Sequence, residues 1–270
     1  MRINIRHVTR YAYAPAAPWV AMRLRLFPSV FATQTLESWE VSVNGAVIAP
    51  SFDDAAMNAE GFRAVEGPVE AVEVIAEGTI LRGDDAGVLK GMKDRTPTGL
   101  YLRQTELTSP NDAICQLAED AKKQDPLETL HALCSAVRDA IDYVPETTTP
   151  ATSAGEALAQ AKGVCQDHTH VFITAARCLG IPARYVAGYY FADPAADQDA
   201  VYETHAWAEG HVPGLGWVGF DVANRTCSTR QHVRVSSDLD AQNASLITGS
   251  VMGQPTETMT VAVAMSQAQQ

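Results

Sequence analysis

The hydrophobic pattern of this chain changes period near Ser109-Pro110, and that change constrains the fold more than any other feature. Before it, apolar residues alternate with polar ones. Ile3 and Ile5 flank Asn4, Leu24 and Leu26 flank Arg25, and Trp39, Val41 and Val43 fall at every second position, as do Val72, Val74 and Ala76. A period of two with polar partners puts one face of a strand in a core and the other in water, as antiparallel sheets do. Asn44-Gly45 and Gly83-Asp84-Asp85 punctuate these runs as turns. Residues 1–105 are therefore expected to form a β-rich, sandwich-like domain, and no chemistry is legible in it.

After Ser109-Pro110 the steps become helical. Leu127, Leu130, Cys134, Val137 and Ile141 recur at three- and four-residue intervals, with Asp125 as N-cap and Pro126 at the first helical position. Ser153-Ala154-Gly155-Glu156 reads as a capping box. A third helix is expected to start near Cys165, with an apolar stripe of Phe172, Ala175, Ala176 and Leu179, and to end at Gly180 and Pro182. Strands follow at 184–191, 202–209 and 216–221, with a last one around Met259, Val261 and Val263 before a Gln-rich, frayed end. Helices followed by strands make residues 106–270 an α+β unit. Proteolysis at 103–112 is expected to separate the two parts.

Composition excludes some functions. The chain has 32 acidic against 20 basic side chains, a net charge of -12, and no basic run. That disfavours nucleic acid as a partner. Nine acids against two bases lie between Asp53 and Asp85, expected on a solvated face. No uncharged apolar run approaches the roughly 18 residues of a membrane helix. Residues 1–7 alternate and carry charge, unlike the apolar block of a signal peptide. A cytoplasmic protein with no membrane partner is expected. Five cysteines at irregular spacing fit a reducing compartment better than a disulfide framework.

Among those cysteines Cys165 is distinct. It sits in Gly163-Val164-Cys165-Gln166-Asp167-His168, where the helix starts. A thiol there meets the positive end of the helix dipole, which favours the thiolate. Gly163 is expected to permit a tight turn and leave room for a ligand. The first helical N–H groups could hold an oxyanion. His205 lies 40 residues on, in a predicted strand, and Asp221 lies 16 further, at the end of the next. A turn at Pro213-Gly214-Leu215-Gly216 can bring those strands side by side, so that Asp221 orients the His205 imidazole and the imidazole faces the thiol. A structural thiol remains the competing reading. Cys115, Cys134 and Cys178 lie on helical segments and read as small core residues, whereas Cys227 sits in a polar loop. Cys165, His168 and His170 also spell C-x-x-H-x-H, and Cys227 and His232 form a second Cys/His pair. Zinc needs about four ligands with matched geometry, and residue 170 leaves the face shared by 165 and 168. No metal is expected. His7, His131, His211 and His232 read as surface or hydrogen-bonded histidines.

Three blocks then stand in order: Gly163-Val164-Cys165-Gln166-Asp167 followed by residues 179–189, LGIPARYVAGY; Thr204-His205-Ala206-Trp207-Ala208-Glu209; and residues 213–221, PGLGWVGFD. Together they resemble the core of the bacterial transglutaminase-like superfamily. Tyr11-Ala12-Tyr13, residues 24–28 and residues 34–39 resemble the β-rich domain that precedes that core in bacterial members. The resemblance implies a papain-like α+β core and a Cys165–His205–Asp221 triad. It implies acyl transfer on peptide or protein amides through a thioester, without a cofactor. The Gln166 N–H would serve the oxyanion, and Trp207, the family's tryptophan after the histidine, is grouped with it as a substrate- or oxyanion-site residue. Hydrolysis is the favoured outcome. Transfer to an amine, or a non-catalytic binding module on the same fold, are the alternatives. Val222-Ala223-Asn224 stands where the family has Pro-Thr-Asn, His168 replaces an apolar residue, and residues 236–240 replace a Gly-Arg-Asp-Tyr-like segment. No alternation of acids around a Gly turn suggests a calcium loop.

Overall fold

The computed structural model describes residues 1–192 and 204–267. The first part contains β1 (Arg2–Leu24), β2 (Gln34–Val43), β3 (Ala46–Ile48), β4 (Phe52–Asp53) and β5 (Ala59–Arg82). Next come α1 (Asp112–Ala121), α2 (Pro126–Ala140), β6 (Asp142–Tyr143), α3 (Ala154–Gln160), β7 (Lys162–Gly163) and α4 (Cys165–Cys178). The chain finishes with β8 (Ala183–Tyr190), β9 (Thr204–Val212), β10 (Gly216–Asp221), β11 (Thr226–Cys227), β12 (His232–Asp238), β13 (Ile247–Val251) and β14 (Thr256–Gln267). The expected strand at 202–209 begins at two residues outside the described ones.

Local signals account for most of these elements. Ile3, Ile5, Val41, Val43, Val72, Val74 and Ala76 are buried, as period two requires. Asn44 and Gly45 take φ of 48° and 76°, left-handed values that close the β2–β3 hairpin. The Asp125 carboxylate accepts from the N–H groups of Leu127 and Glu128, and Ser153 and Glu156 form a complete capping box. Each such cap stabilises its helix by about 1 kcal/mol. The Gly180 φ of 74° ends the turn after α4.

Two sheets carry the molecule. The first is seven-stranded, in the order β13-β1-β5-β2-β3, with β14 also on β1 and β4 on β5. The second is five-stranded, in the order β11-β10-β9-β8-β12. Leu130, Phe172 and Phe220 belong to a core between the helices and the second sheet, with α4 buried from Asp167 to Arg177. Ile3, Val72, Tyr189 and Val233 belong to another core, between the two sheets. The face-to-face packing expected within residues 1–105 is thus made across the two parts. Polar ties reinforce it: Gln34 Nε2 donates to Arg234 O at 2.7 Å, and Arg234 N donates back to Gln34 Oε1 at 2.9 Å.

Three sequence expectations change. Strands β13 and β14, grouped by sequence with residues 106–270, instead pair antiparallel with β1. The reason is that β1 has a free edge whose main-chain groups need partners, and nothing in the period of β14 says which sheet it will join. The segment at 103–112 is anchored: Arg177 donates to Tyr101 O, at 3.1 Å, and to Thr108 Oγ1, at 3.0 Å, and Thr108 is fully buried. The acidic run is only partly solvated. Glu60 and Asp54 pair with buried Arg25 at 2.6 and 2.7 Å, and Asp85 lies 3.5 Å from Arg82.

These contacts predict the behaviour of a nicked chain. Cleavage anywhere in 103–112 should leave both fragments in one particle in native size-exclusion chromatography, although they separate on a denaturing gel. Elution of a free fragment of residues 1–105 would contradict the shared sheet.

Candidate active site

The N-terminus of α4 is built around Asp167. Its Oδ2 accepts from Val164 N–H at 2.7 Å, the return half of a capping arrangement, and from Thr148 Oγ1 at 2.7 Å. A Cβ on Gly163 would stand 2.6 Å from the Asp167 Cβ. The space left by this glycine is therefore filled by the aspartate rather than by a ligand. Asp167 and His168 N–H groups donate to Val164 O at 3.0 and 3.2 Å. The helix thus presents the N–H groups of Cys165 and Gln166 at its open end. Gln166 lines the cavity there, and its side chain donates to Pro150 O at 3.4 Å.

Cys165 and His205 line one cavity of about 790 Å³. His205 Nε2 lies 2.8 Å from Asp221 Oδ2. That leaves Nδ1 as the ring nitrogen not held by the carboxylate, and Cys165 lies near enough to influence this imidazole. Burial pulls the His205 pKa down, but the Asp221 charge, the hydrogen bond to Asp221 and the interaction with Cys165 together raise it to about 10. Burial likewise opposes the Asp221 charge. The two imidazoles beside it, His205 first, nevertheless hold its carboxyl well below the usual carboxylate range.

The second imidazole is His232, on β12. It is 1% exposed, and its Nε2 lies 2.9 Å from Asp221 Oδ2. Thr229 N–H donates to its Nδ1 at 3.0 Å, which fixes the tautomer with the proton on Nε2. Burial lowers the pKa of this ring despite the neighbouring carboxylate, so it serves as a neutral donor. Asn224 completes the shell, giving Nδ2–H to Oδ2 at 2.7 Å and its backbone N–H to Oδ1 at 3.2 Å.

The sequence assigns His232 no partner, because its pairing with Asp221 is made across the sheet, between strands that are not neighbours. The Asn in Val222-Ala223-Asn224 was a usable signal, since it is the one member of that triplet kept from the family pattern. The metal-like spellings dissolve. His168 directs its nitrogens at Val164 O, 2.8 Å, and Ile141 O, 3.0 Å, while His170 Nε2 accepts from Ala241 N–H at 3.1 Å. His205, Asp221 and His232 hold ligand-type atoms within 4.8 Å of one another, but the proton fixed on His232 Nε2 makes that contact a hydrogen bond. Trp207, grouped by sequence with the oxyanion residues, is 2% exposed and lies behind the imidazoles. Its ring centroid is 6.2 Å from that of His205 and 5.2 Å from that of His232, so it braces both rings rather than facing the cavity. The N-terminal part, where sequence showed no chemistry, supplies a cavity wall: His7, Thr9 and Tyr11 of β1, with Met259 and Val261 of β14.

The pKa of His205 has a sign for stability. Its folded value, about 10, lies above the ordinary 6.5, so its contribution is complete below pH 6.5 and is lost as pH rises through 10. Asp221 is depressed, so its contribution is present above its ordinary 3.8 and lost as pH falls through the folded value. The difference in unfolding free energy between the wild type and His205→Gln should therefore shrink between pH 6.5 and 10 in denaturant titrations. Growth of that difference over the same interval would contradict the ion pair. His232→Phe should cost about 1.5–3 kcal/mol at pH 6, the worth of a hydrogen bond to a buried charge, as read by urea unfolding.

With this geometry in view, the likeness to known proteins is informative. Residues 116–222 match the transglutaminase-like superfamily, and residues 3–81 match the bacterial transglutaminase-like N-terminal region. An uncharacterized protein of Mycobacterium leprae is 30% identical over 165 residues, 60% of this chain and 58% of that protein. An uncharacterized protein of Mycobacterium tuberculosis is 31% identical over 150 residues, 52% of this chain and 47% of that protein. The chain thus spans about half the length of the curated relatives it matches. A crystal structure of a candidate cysteine protease from Cytophaga hutchinsonii covers 100% of this chain, and 92% of that one, with a TM-score of 0.75 at 19% identity. No helix among the described residues is long and apolar enough to cross a membrane. The papain-like α+β core and the β-rich region before it are those of one family, and this chain belongs to the transglutaminase-like superfamily, with a bacterial transglutaminase-like N-terminal region.

Proposed function

We propose that the protein is a cysteine-dependent acyl transferase acting on peptide or protein amides, with water as the usual acceptor. One observation carries this reading: Cys165 at the mouth of a helix shares a cavity with His205, whose far nitrogen is held by Asp221 at 2.8 Å. In the mechanism His205 and Cys165 exchange the thiol proton, and the thiolate attacks the amide carbonyl. N–H groups at the start of α4, Gln166 among them, receive the developing oxyanion, a contact worth about 10²–10³ in rate per donor. His205 then gives its proton to the leaving amine, and a thioester remains on Cys165.

The acceptor follows from access. Met259 and Val261 line the cavity and are 57% and 48% exposed, so the space opens to bulk water. Selective transfer to an amine needs a site that excludes water. Hydrolysis, as a peptidase or amidase, is therefore the reading that fits, and transamidation is the second. The cytoplasm is the compartment proposed with it, as a setting that keeps the thiol of Cys165 reduced.

Mass spectrometry separates these readings. A pool of glutamine-containing peptides should be cleaved or deamidated with and without a primary amine, and Cys165→Ala should abolish the change. Amine-adducted peptides that vanish in the variant would replace hydrolysis with transamidation. His205→Gln should slow turnover by about 10²–10⁴, the range of a lost general base. Equal rates in wild type and both variants would refute the acyl-transfer reading.

A further inference from the structure

The strand β14 carries a feature that the chemistry at Cys165 does not use. It pairs with β1 without a break from Ile3↔Gln267 to Ala14↔Thr256. Among the described residues no strand pairs with its other edge. An open edge of 12 residues is a row of main-chain donors and acceptors about 40 Å long. Proteins normally blunt such edges with charge, proline or a bulge. This one has a single charge, Glu257, at its beginning, no proline within Thr256–Gln267, and no register shift against β1.

The position of that edge gives it meaning. Met259 stands opposite Tyr11 and Val261 opposite Thr9, and all four line the cavity that holds Cys165 and His205. The exposed side chains of Met259 and Val261 therefore form an apolar lip on the cavity. Glu146 is the only carboxylate lining it, and no Lys or Arg does so among the described residues. Apart from the His205 ring and the α4 N–H groups that the proposed chemistry uses, no lining group is suited to hold the free carboxylate of a chain end. The wall favours uncharged, apolar side chains from an internal stretch of polypeptide.

We propose that β14 is a substrate rail: an extended, internal, apolar polypeptide segment adds to its free edge as a further strand and lies across the mouth of the cavity. Main-chain hydrogen bonds supply affinity, and alternate side chains of the segment rest on Met259 and Val261. The part of the inference that delivers a peptide carbonyl to Cys165 rests on the proposed acyl transfer; the binding itself does not. A second copy of this chain could use the same edge, but the lip belongs to the cavity, which points to a substrate.

The test reads binding apart from turnover. Cys165→Ala protein is titrated into a fluorescent, end-blocked dodecapeptide of alternating Leu and Ser, followed by anisotropy. Binding should weaken at least 10-fold when Val261→Lys or Met259→Lys is added. It should be unchanged with Ala262→Lys, an exposed position whose side chain faces away from the cavity. The same peptide N-methylated at every central amide keeps its side chains and should also bind at least 10-fold more weakly. Unchanged binding in both Val261→Lys and Met259→Lys, or by the methylated peptide, would overturn the rail. So would a dimer in sedimentation velocity that Val261→Lys dissociates, because the edge would then be a self-interface. Circular dichroism checks that both exposed-site variants fold. If the peptide binds Cys165→Ala in this pattern yet leaves the wild type with neither cleavage nor a Cys165 adduct, the rail stands and the acyl-transfer reading fails.

Discussion

Burying the carboxylate of Asp221 is the constraint on which the rest of this structure turns. A carboxylate with no exposed surface is tolerated only if its oxygens are met by donors. Here His205, His232 and Asn224 meet them, from β9, β12 and the loop after β10. The second sheet must therefore bring a central strand, its neighbour's end and its edge strand to one point. Trp207 fills the space behind the two rings. The glycine at 188 allows this, because a Cβ there would meet the indole at 2.7 Å.

The support extends into the first sheet. Arg82, at the end of β5, donates to His232 O at 2.7 Å and to Thr229 O at 3.0 Å. Thr229 in turn donates to the His232 ring and sets its tautomer. A residue of the N-terminal region thus holds the turn that presents His232, which presents its proton to Asp221. The sheet that also walls the cavity is consequently part of the same device. A chain truncated to its helices and second sheet would lose both the wall and this buttress.

Chemistry and recognition are divided between the two parts. The groups proposed to break the amide lie at one helix N-terminus and on two neighbouring strands of the second sheet. Most of the surface proposed to hold a polypeptide comes from β1 and β14, whose paired residues Asn4 and Ser266 stand 262 positions apart in the chain. Rigid strands hold both, so the cavity is shaped by sheet packing more than by loops.

Much of this was legible in the sequence, for local reasons. Period two marked the burial of Ile3, Val41 and Val72. Caps at Asp125 and Ser153 marked helix starts. The blocks around Cys165, His205 and Asp221 marked the family, two residues that the fold brings to one cavity, and the carboxylate buried behind His205. Other features were not legible because they depend on pairing across long separations. The partner sheet of β14, the burial of His232 on the carboxylate, the withdrawal of Trp207 behind the imidazoles and the entry of His7, Thr9 and Tyr11 into the cavity wall are of this kind. Sequence by itself determined the periods, the caps and the chemical types at the site, since these act within a few residues. Only the tertiary structure decided which edge each strand meets and which side chains share a desolvated space, because that depends on satisfying main-chain groups and a buried charge with partners far away in the chain.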